Sequence, residues 1–140
     1  MDAQPKDPQA VIVTLQGTDG HTCDIKAGKH QLVADEPANL GGHDVGPAPY
    51  QYLKAALGAC TAMTLRMYAE RKKWPLENVR VSLHHSRDAN KESVFERDIE
   101  LIGNLSAEQK ERLLEIADRC PVHKTLSHGA TILSKLVEPK

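Results

Sequence analysis

Hydrophobic and polar positions change rhythm several times along this chain, and each rhythm points to a different element. Val11-Ile12-Val13-Thr14-Leu15 is short and β-branched and runs into the turn Gly17-Thr18-Asp19-Gly20. Similar runs at His21 to Ile25 and His30 to Ala34 predict a small antiparallel meander. Asp35 to Pro49 breaks the pattern with Pro37, Gly41, Gly42, Gly46, Pro47 and Pro49, which together exclude regular structure there. A loop of this length in a compact domain is more often functional than idle. Tyr50 to Lys73 then reads as one helix of about six turns, ended by Pro75. Val79, Val81, Leu83 and His85 alternate with polar residues, a half-buried strand that turns at Asp88-Ala89-Asn90. The partner strand, from Val94 to Ile102, puts Phe95, Arg97, Ile99 and Leu101 on one face. Ser106 and Gln109 form a Ser-x-x-Gln capping box for a second helix, with Leu113, Ile116, Ala117 and Cys120 on its inner stripe and Pro121 as its stop. A last strand is predicted from Ala130 to Val137. The order βββ-α-ββ-α-β gives an α+β fold.

The middle of the long helix is unusual. Residues 55–65, Ala-Ala-Leu-Gly-Ala-Cys-Thr-Ala-Met-Thr-Leu, carry no charge on any face. A helix apolar all round is buried all round, and its small residues permit close approach by a neighbour. One chain of 140 residues has little material for that, so a second copy is expected to supply part of the cover.

Composition narrows the function classes. The length fits a single domain over residues 1–140, with residues 1–9 as a loose lead-in. With 18 basic and 19 acidic side chains the formal charge is -1, which gives no electrostatic reason to expect nucleic acid or an anionic membrane as partner. No apolar run is long enough to span a bilayer, and the N-terminus lacks the features of a secretory signal, so a cytoplasmic setting is expected.

The candidate chemistry lies in three cysteines, Cys23, Cys60 and Cys120, which cannot all pair within one chain. In a reducing compartment, widely spaced thiols suggest burial, catalysis or redox sensing rather than scaffolding. Cys60 in an apolar helix reads equally as a small core residue. Cys120 has Arg119, His123 and Lys124 close in sequence, which favours a thiolate. The carboxyl end of a helix, where it is expected to sit, disfavours one. Cys120-x-x-His123 has no second closely spaced pair beside it. His43, His85 and Cys23 read as ordinary residues, so no metal or cofactor is expected.

Several blocks together resemble the OsmC/Ohr family of small thiol peroxidases and their relatives. They are Asp35-Glu36-Pro37, Gly41-Gly42-His43-Asp44-Val45-Gly46-Pro47, Pro49-Tyr50-Gln51-Tyr52-Leu53, Ala55-Ala56-Leu57-Gly58-Ala59-Cys60-Thr61 and Cys120-Pro121-Val122-His123. The resemblance implies antiparallel sheets around a long central helix in an intertwined homodimer. It also implies two-cysteine reduction of organic hydroperoxides. Cys60 would become a sulfenic acid, Cys120 would close a disulfide with it, and an external dithiol would reset the pair. The best-known members use an arginine from the N-terminal strands and a glutamate ten residues before the first cysteine. This chain has no arginine before Arg66, and Tyr50 and Gln51 stand where the glutamate is expected. Gln51 could hydrogen-bond a peroxide or thiolate but cannot pair a guanidinium as a carboxylate does. Lys29, with His30 beside it, and Arg97 are the substitute cations for activating Cys60. A simpler reading has Arg97 snorkelling at a sheet edge. Two other functions fit the same residues: a ligand-binding domain with an apolar cleft, or a redox sensor without rapid turnover.

Overall fold

The computed structural model describes residues 10–139, so the lead-in over residues 1–9 lies outside the described residues. The chain forms two compact units, one up to Leu53 and one from Lys54 onward.

In the first unit, β1 (Val11–Leu15), β2 (Cys23–Ala27) and β3 (His30–Ala34) form the expected antiparallel meander, in the order β1-β2-β3. Strand β2 begins two residues later than its hydrophobic run suggests. The two-residue turn Gly28-Lys29 sets its register, pairing Ala27 with His30 and Ile25 with Leu32. Gly28 takes φ 61, a backbone conformation a hairpin turn needs and L side chains resist.

The segment after β3 is irregular apart from one 3-10 turn, Ala38–Leu40. Asp35 organises it. One carboxylate oxygen accepts from Glu36 N–H at 2.8 Å, and the other accepts from Thr22 Oγ1 at 3.0 Å, His43 N–H at 3.1 Å and Val45 N–H at 3.4 Å. Burial alone would raise this carboxyl's pKa, but the four donors outweigh it and hold it below the usual range. Gly46 is required by close packing, since a Cβ there would lie 2.4 Å from the Val33 carbonyl oxygen.

Helix α1 (Pro49–Lys72) begins in the first unit and continues into the second. Gln51 Oε1 accepts from Ala48 N–H at 2.9 Å, satisfying one of the orphan donors at the helix start. In the second unit α1 buries a stripe at four-residue spacing, Leu57, Thr61, Leu65 and Ala69. The expectation of burial all round is not met within one chain. Ala59, Met63 and Met67 stay exposed on the other side, with Met63 62% accessible.

Strands β4 (Asn78–Arg87) and β5 (Ser93–Ile102) pair antiparallel, and Asp88 accepts from Asn90 and Glu92 N–H to shape their turn. The alternation read from sequence holds: Val79, Val81, Leu83 and His85 are half-buried, and so are Phe95, Arg97, Ile99 and Leu101. Gly58 lets α1 approach β4, because a Cβ there would stand 3.0 Å from Leu83 Cδ2. The core gathers Leu65, Ala69, Leu76, Leu105, Leu113, Ile116 and Ala117.

Two sequence expectations fail at the carboxyl end. Helix α2 (Ala107–Ala117) has both halves of its capping box but ends at Asp118, before Cys120. Pro121 does not stop that helix. It is the first residue of another, α3 (Pro121–His128), with Cys120 as its N-cap and Gly129 just past its end. Proline lacks the N–H that the first helical position leaves unused, so it starts helices as readily as it ends them. The second correction concerns Ala130 to Val137, which is not a strand. Residues 130–139 have no regular structure, and Leu133 and Leu136 are 90% and 101% exposed. A strand needs a ladder partner, and none is present among the described residues.

Candidate active site

The second unit brings Cys60 and Cys120 together. Cys60 faces α3 from the middle of α1, half-buried, and Cys120 is fully buried at the start of α3; both are free thiols. Cys120 lies close enough to act on the ionisation of Cys60. The Val122 amide and the Thr64 hydroxyl also lie near enough to Cys60 to bear on its ionisation. Cys120 Sγ accepts from His123 N–H at 3.3 Å. The first turn of α3 therefore caps the Cys120 sulfur and comes close to Cys60. Cys120 sits at the positive pole of α3, the reverse of the electrostatics expected from sequence.

Burial pushes the Cys60 thiol above the ordinary cysteine range, and Cys120 adds to the rise through its hydrogen bond and its charge. The Val122 amide and Thr64 hydroxyl pull the other way.

Arg97 does not snorkel. Its side chain is only 12% exposed and reaches inward from β5. Nη1 donates to Thr61 Oγ1 at 3.0 Å and to the Ala117 carbonyl at 3.3 Å. Nη2 donates to Asp118 Oδ1 at 3.0 Å and lies 3.2 Å from His123 Nδ1. A guanidinium can only donate, so Nδ1 accepts and the ring proton sits on Nε2. None of these four bonds goes to a sulfur. Arg97 instead ties the residue after Cys60 to the end of α2 and the first turn of α3, fixing the frame around both thiols. No local signal marked this role. The one clue was a charge on an apolar strand face, which demands partners.

Lys29 is exposed in the β2–β3 turn, and Gln51 is exposed with its amide oxygen committed to Ala48. Cys23 lies in β2, with Sγ 3.7 Å from the His21 carbonyl. His85 Nε2 lies 2.9 Å from Ser93 Oγ, and its ring packs 4.8 Å from that of Phe95. Beside the thiol frame lies a cavity of about 380 Å³. Leu57, Phe95, Ile99, Leu114 and Leu126 give it an apolar wall, and Arg97, His123, Ser93 and Ser127 a polar one. Among the described residues no group of three or more His, Cys, Asp or Glu side chains is placed to hold a metal ion, and no helix is long and apolar enough to cross a membrane.

Comparison with known proteins places this architecture. The family profile for OsmC-like protein matches residues 41–135. The chain belongs to the OsmC-like protein family. Among solved structures, the OsmC like protein from Mycoplasma pneumoniae aligns with a TM-score of 0.72 at 19% identity, over 91% of this chain and 89% of that one. The organic hydroperoxide resistance protein OsmC from Legionella pneumophila aligns with a TM-score of 0.59 at 26% identity, over 86% and 91%. An organic hydroperoxide resistance protein from Elizabethkingia anophelis gives 0.60 at 21% identity, over 82% and 85%. No curated protein sequence matches the chain. Cys60, Arg97 and Cys120 all fall within the OsmC-like span, whereas Lys29 falls outside it.

Proposed function

We propose that this OsmC-like protein is a two-cysteine peroxidase that reduces organic hydroperoxides. The observation that carries the reading is the placing of Cys120, buried at the start of α3, close enough to Cys60 to act on its ionisation. Cys60, the more accessible of the two, attacks the peroxide O–O bond as thiolate, releasing an alcohol and becoming a sulfenic acid. Cys120 then displaces the sulfenic oxygen, and the Cys60–Cys120 disulfide forms with loss of water. A dithiol reductant returns both thiols by exchange. The adjacent cavity suits a molecule with an alkyl body and one polar end, which favours organic peroxides over hydrogen peroxide.

The working unit in this reading is a cytoplasmic homodimer. Its support is the exposed apolar side of α1 at Ala59, Met63 and Met67, together with the exposed apolar residues of the carboxyl-terminal segment. Lys29 and Gln51 are exposed within their own unit, and this reading assigns them no step.

The raised Cys60 thiol favours one alternative, a sensor that oxidises once and turns over slowly. Stopped-flow consumption of cumene hydroperoxide and hydrogen peroxide, with excess dithiothreitol, separates the two. Sustained turnover faster with cumene hydroperoxide supports the peroxidase. A single stoichiometric oxidation supports the sensor, and no oxidation of Cys60 contradicts both.

A further inference from the structure

The cavity beside the thiol frame has Arg97, Ser93, Ser127 and His123 along its polar wall. Arg97 spends both terminal nitrogens on Thr61, Ala117, Asp118 and His123. Ser93 Oγ lies 2.9 Å from His85 Nε2 and 3.4 Å from Arg87 Nη1, and Ser127 is exposed to solvent. His123 differs from all three. Its ring is half-buried, and Nδ1 is held from one side by Arg97 at 3.2 Å, with Asp118 Oδ1 beyond bonding distance at 3.9 Å. Nε2 has no partner among the described residues, although the ring lines the cavity. A neutral imidazole whose Nδ1 accepts carries its proton on Nε2. The cavity therefore has one half-buried N–H donor whose tautomer is fixed from behind. That donor is near the thiols along the chain. The backbone N–H of His123 caps the Cys120 sulfur, and Leu57, one turn before Cys60 on α1, lines the same cavity.

We propose that His123, through Nε2–H, holds the oxygen end of an alkyl peroxide and of the alcohol made from it, and that Arg97 is the positioning residue that fixes its tautomer. The apolar wall takes the alkyl body. Cys60, having lost its proton to solvent, bonds to the outer peroxide oxygen as the O–O bond breaks. The electron pair of that bond goes to the inner oxygen. The alkoxide so formed accepts a hydrogen bond from Nε2–H until solvent protonates it to the alcohol. The peroxide gains two electrons, and Cys60 gives them up in becoming a sulfenic acid. A fixed donor aimed where negative charge develops needs no rearrangement during the step, and a neutral imidazole can fill that role.

The proposal rests on the peroxidase reading, but its test uses cumyl alcohol, which has no O–O bond and leaves the thiols unchanged. Long-range proton–nitrogen correlation spectra of protein with isotope-labelled histidine are recorded at mildly alkaline pH, the His123 signals being assigned by their absence from His123→Asn. The expected imidazole is the Nε2–H tautomer, with an Nε2 signal that moves and saturates as the alcohol is added. His123→Asn keeps an acceptor for Arg97 but offers the cavity no donor there, and should weaken alcohol binding about fivefold. His123→Gln places an amide N–H near the position of Nε2 and should restore most of that loss. An Nδ1–H tautomer, or an Nε2 signal that the alcohol does not move, would overturn the proposal in the parent protein alone. Equal weakening by Asn and Gln would also overturn it, since His123 would then serve only to hold the frame. A protein inert to cumene hydroperoxide whose His123 still answers the alcohol would strike the peroxidase reading and uphold the donor.

Discussion

Asp35 and Arg97 are both shielded charges that gather four hydrogen bonds, yet they organise their surroundings in opposite ways. Asp35 accepts from donors 1 to 13 residues away, three of them backbone amides of the loop that follows it. It folds a local segment onto itself. Arg97 reaches partners 20 to 36 residues away, on α1, at the end of α2 and on α3. It ties α1, the end of α2 and α3 to β5, and the joint it makes surrounds the thiol pair. A local charge centre shapes a loop; a long-range one positions chemistry.

Substitution should separate the two sharply. Arg97→Met is expected to slow Cys60–Cys120 disulfide formation after one equivalent of cumene hydroperoxide by about tenfold or more, since small misplacements of reacting atoms are costly. Quenched-flow trapping of the sulfenic acid with dimedone should show it accumulating, while Asp35→Asn matches the parent. Arg97→Lys should recover only part of the rate, because an ammonium lacks the planar fork that reaches Thr61, Ala117 and Asp118 together. In urea unfolding, Arg97→Met should cost about 2 kcal/mol, from the combined loss of its bonds to Thr61, Ala117 and Asp118.

The Asp35 effect should instead depend on pH. Its carboxyl is held below its ordinary value of 3.8 in the folded state, so its contribution is complete above that value. It is lost as pH falls through the lower folded value. The gap in urea midpoint between parent and Asp35→Asn should therefore be open near neutrality and close in acid, whereas the Arg97→Met gap should persist. The smallest effect belongs to the α2 cap, which touches neither centre. Ser106→Ala removes the 3.1 Å bond from Gln109 N–H and should cost about 1 kcal/mol in the same assay, with disulfide formation unchanged.

The same contrast explains what could be read from the sequence. Elements set by local rules were legible: the meander, the long helix, the alternating strands β4 and β5, and the Ser106–Gln109 box. The thiol pair was legible only through family resemblance, because residues sixty positions apart leave no local mark of contact. Cys120 was misplaced because Cys-Pro reads as the end of α2. Yet Val122 and Leu126 at helical spacing, with Gly129 beyond, did mark a new helix between proline and glycine. Arg97 looked like a snorkelling edge residue because its four partners come from three other places in the chain. The segment from Ala130 to Val137 has a strand's composition, but composition cannot say whether a partner strand is at hand.

The most direct test is peptide mapping of the Cys23→Ser protein after one equivalent of cumene hydroperoxide, without reductant. The account expects one crosslinked peptide pair joining Cys60 to Cys120, within a single chain and formed in step with peroxide loss. Cys60 carried onward to sulfinic acid while Cys120 remains a free thiol would contradict it.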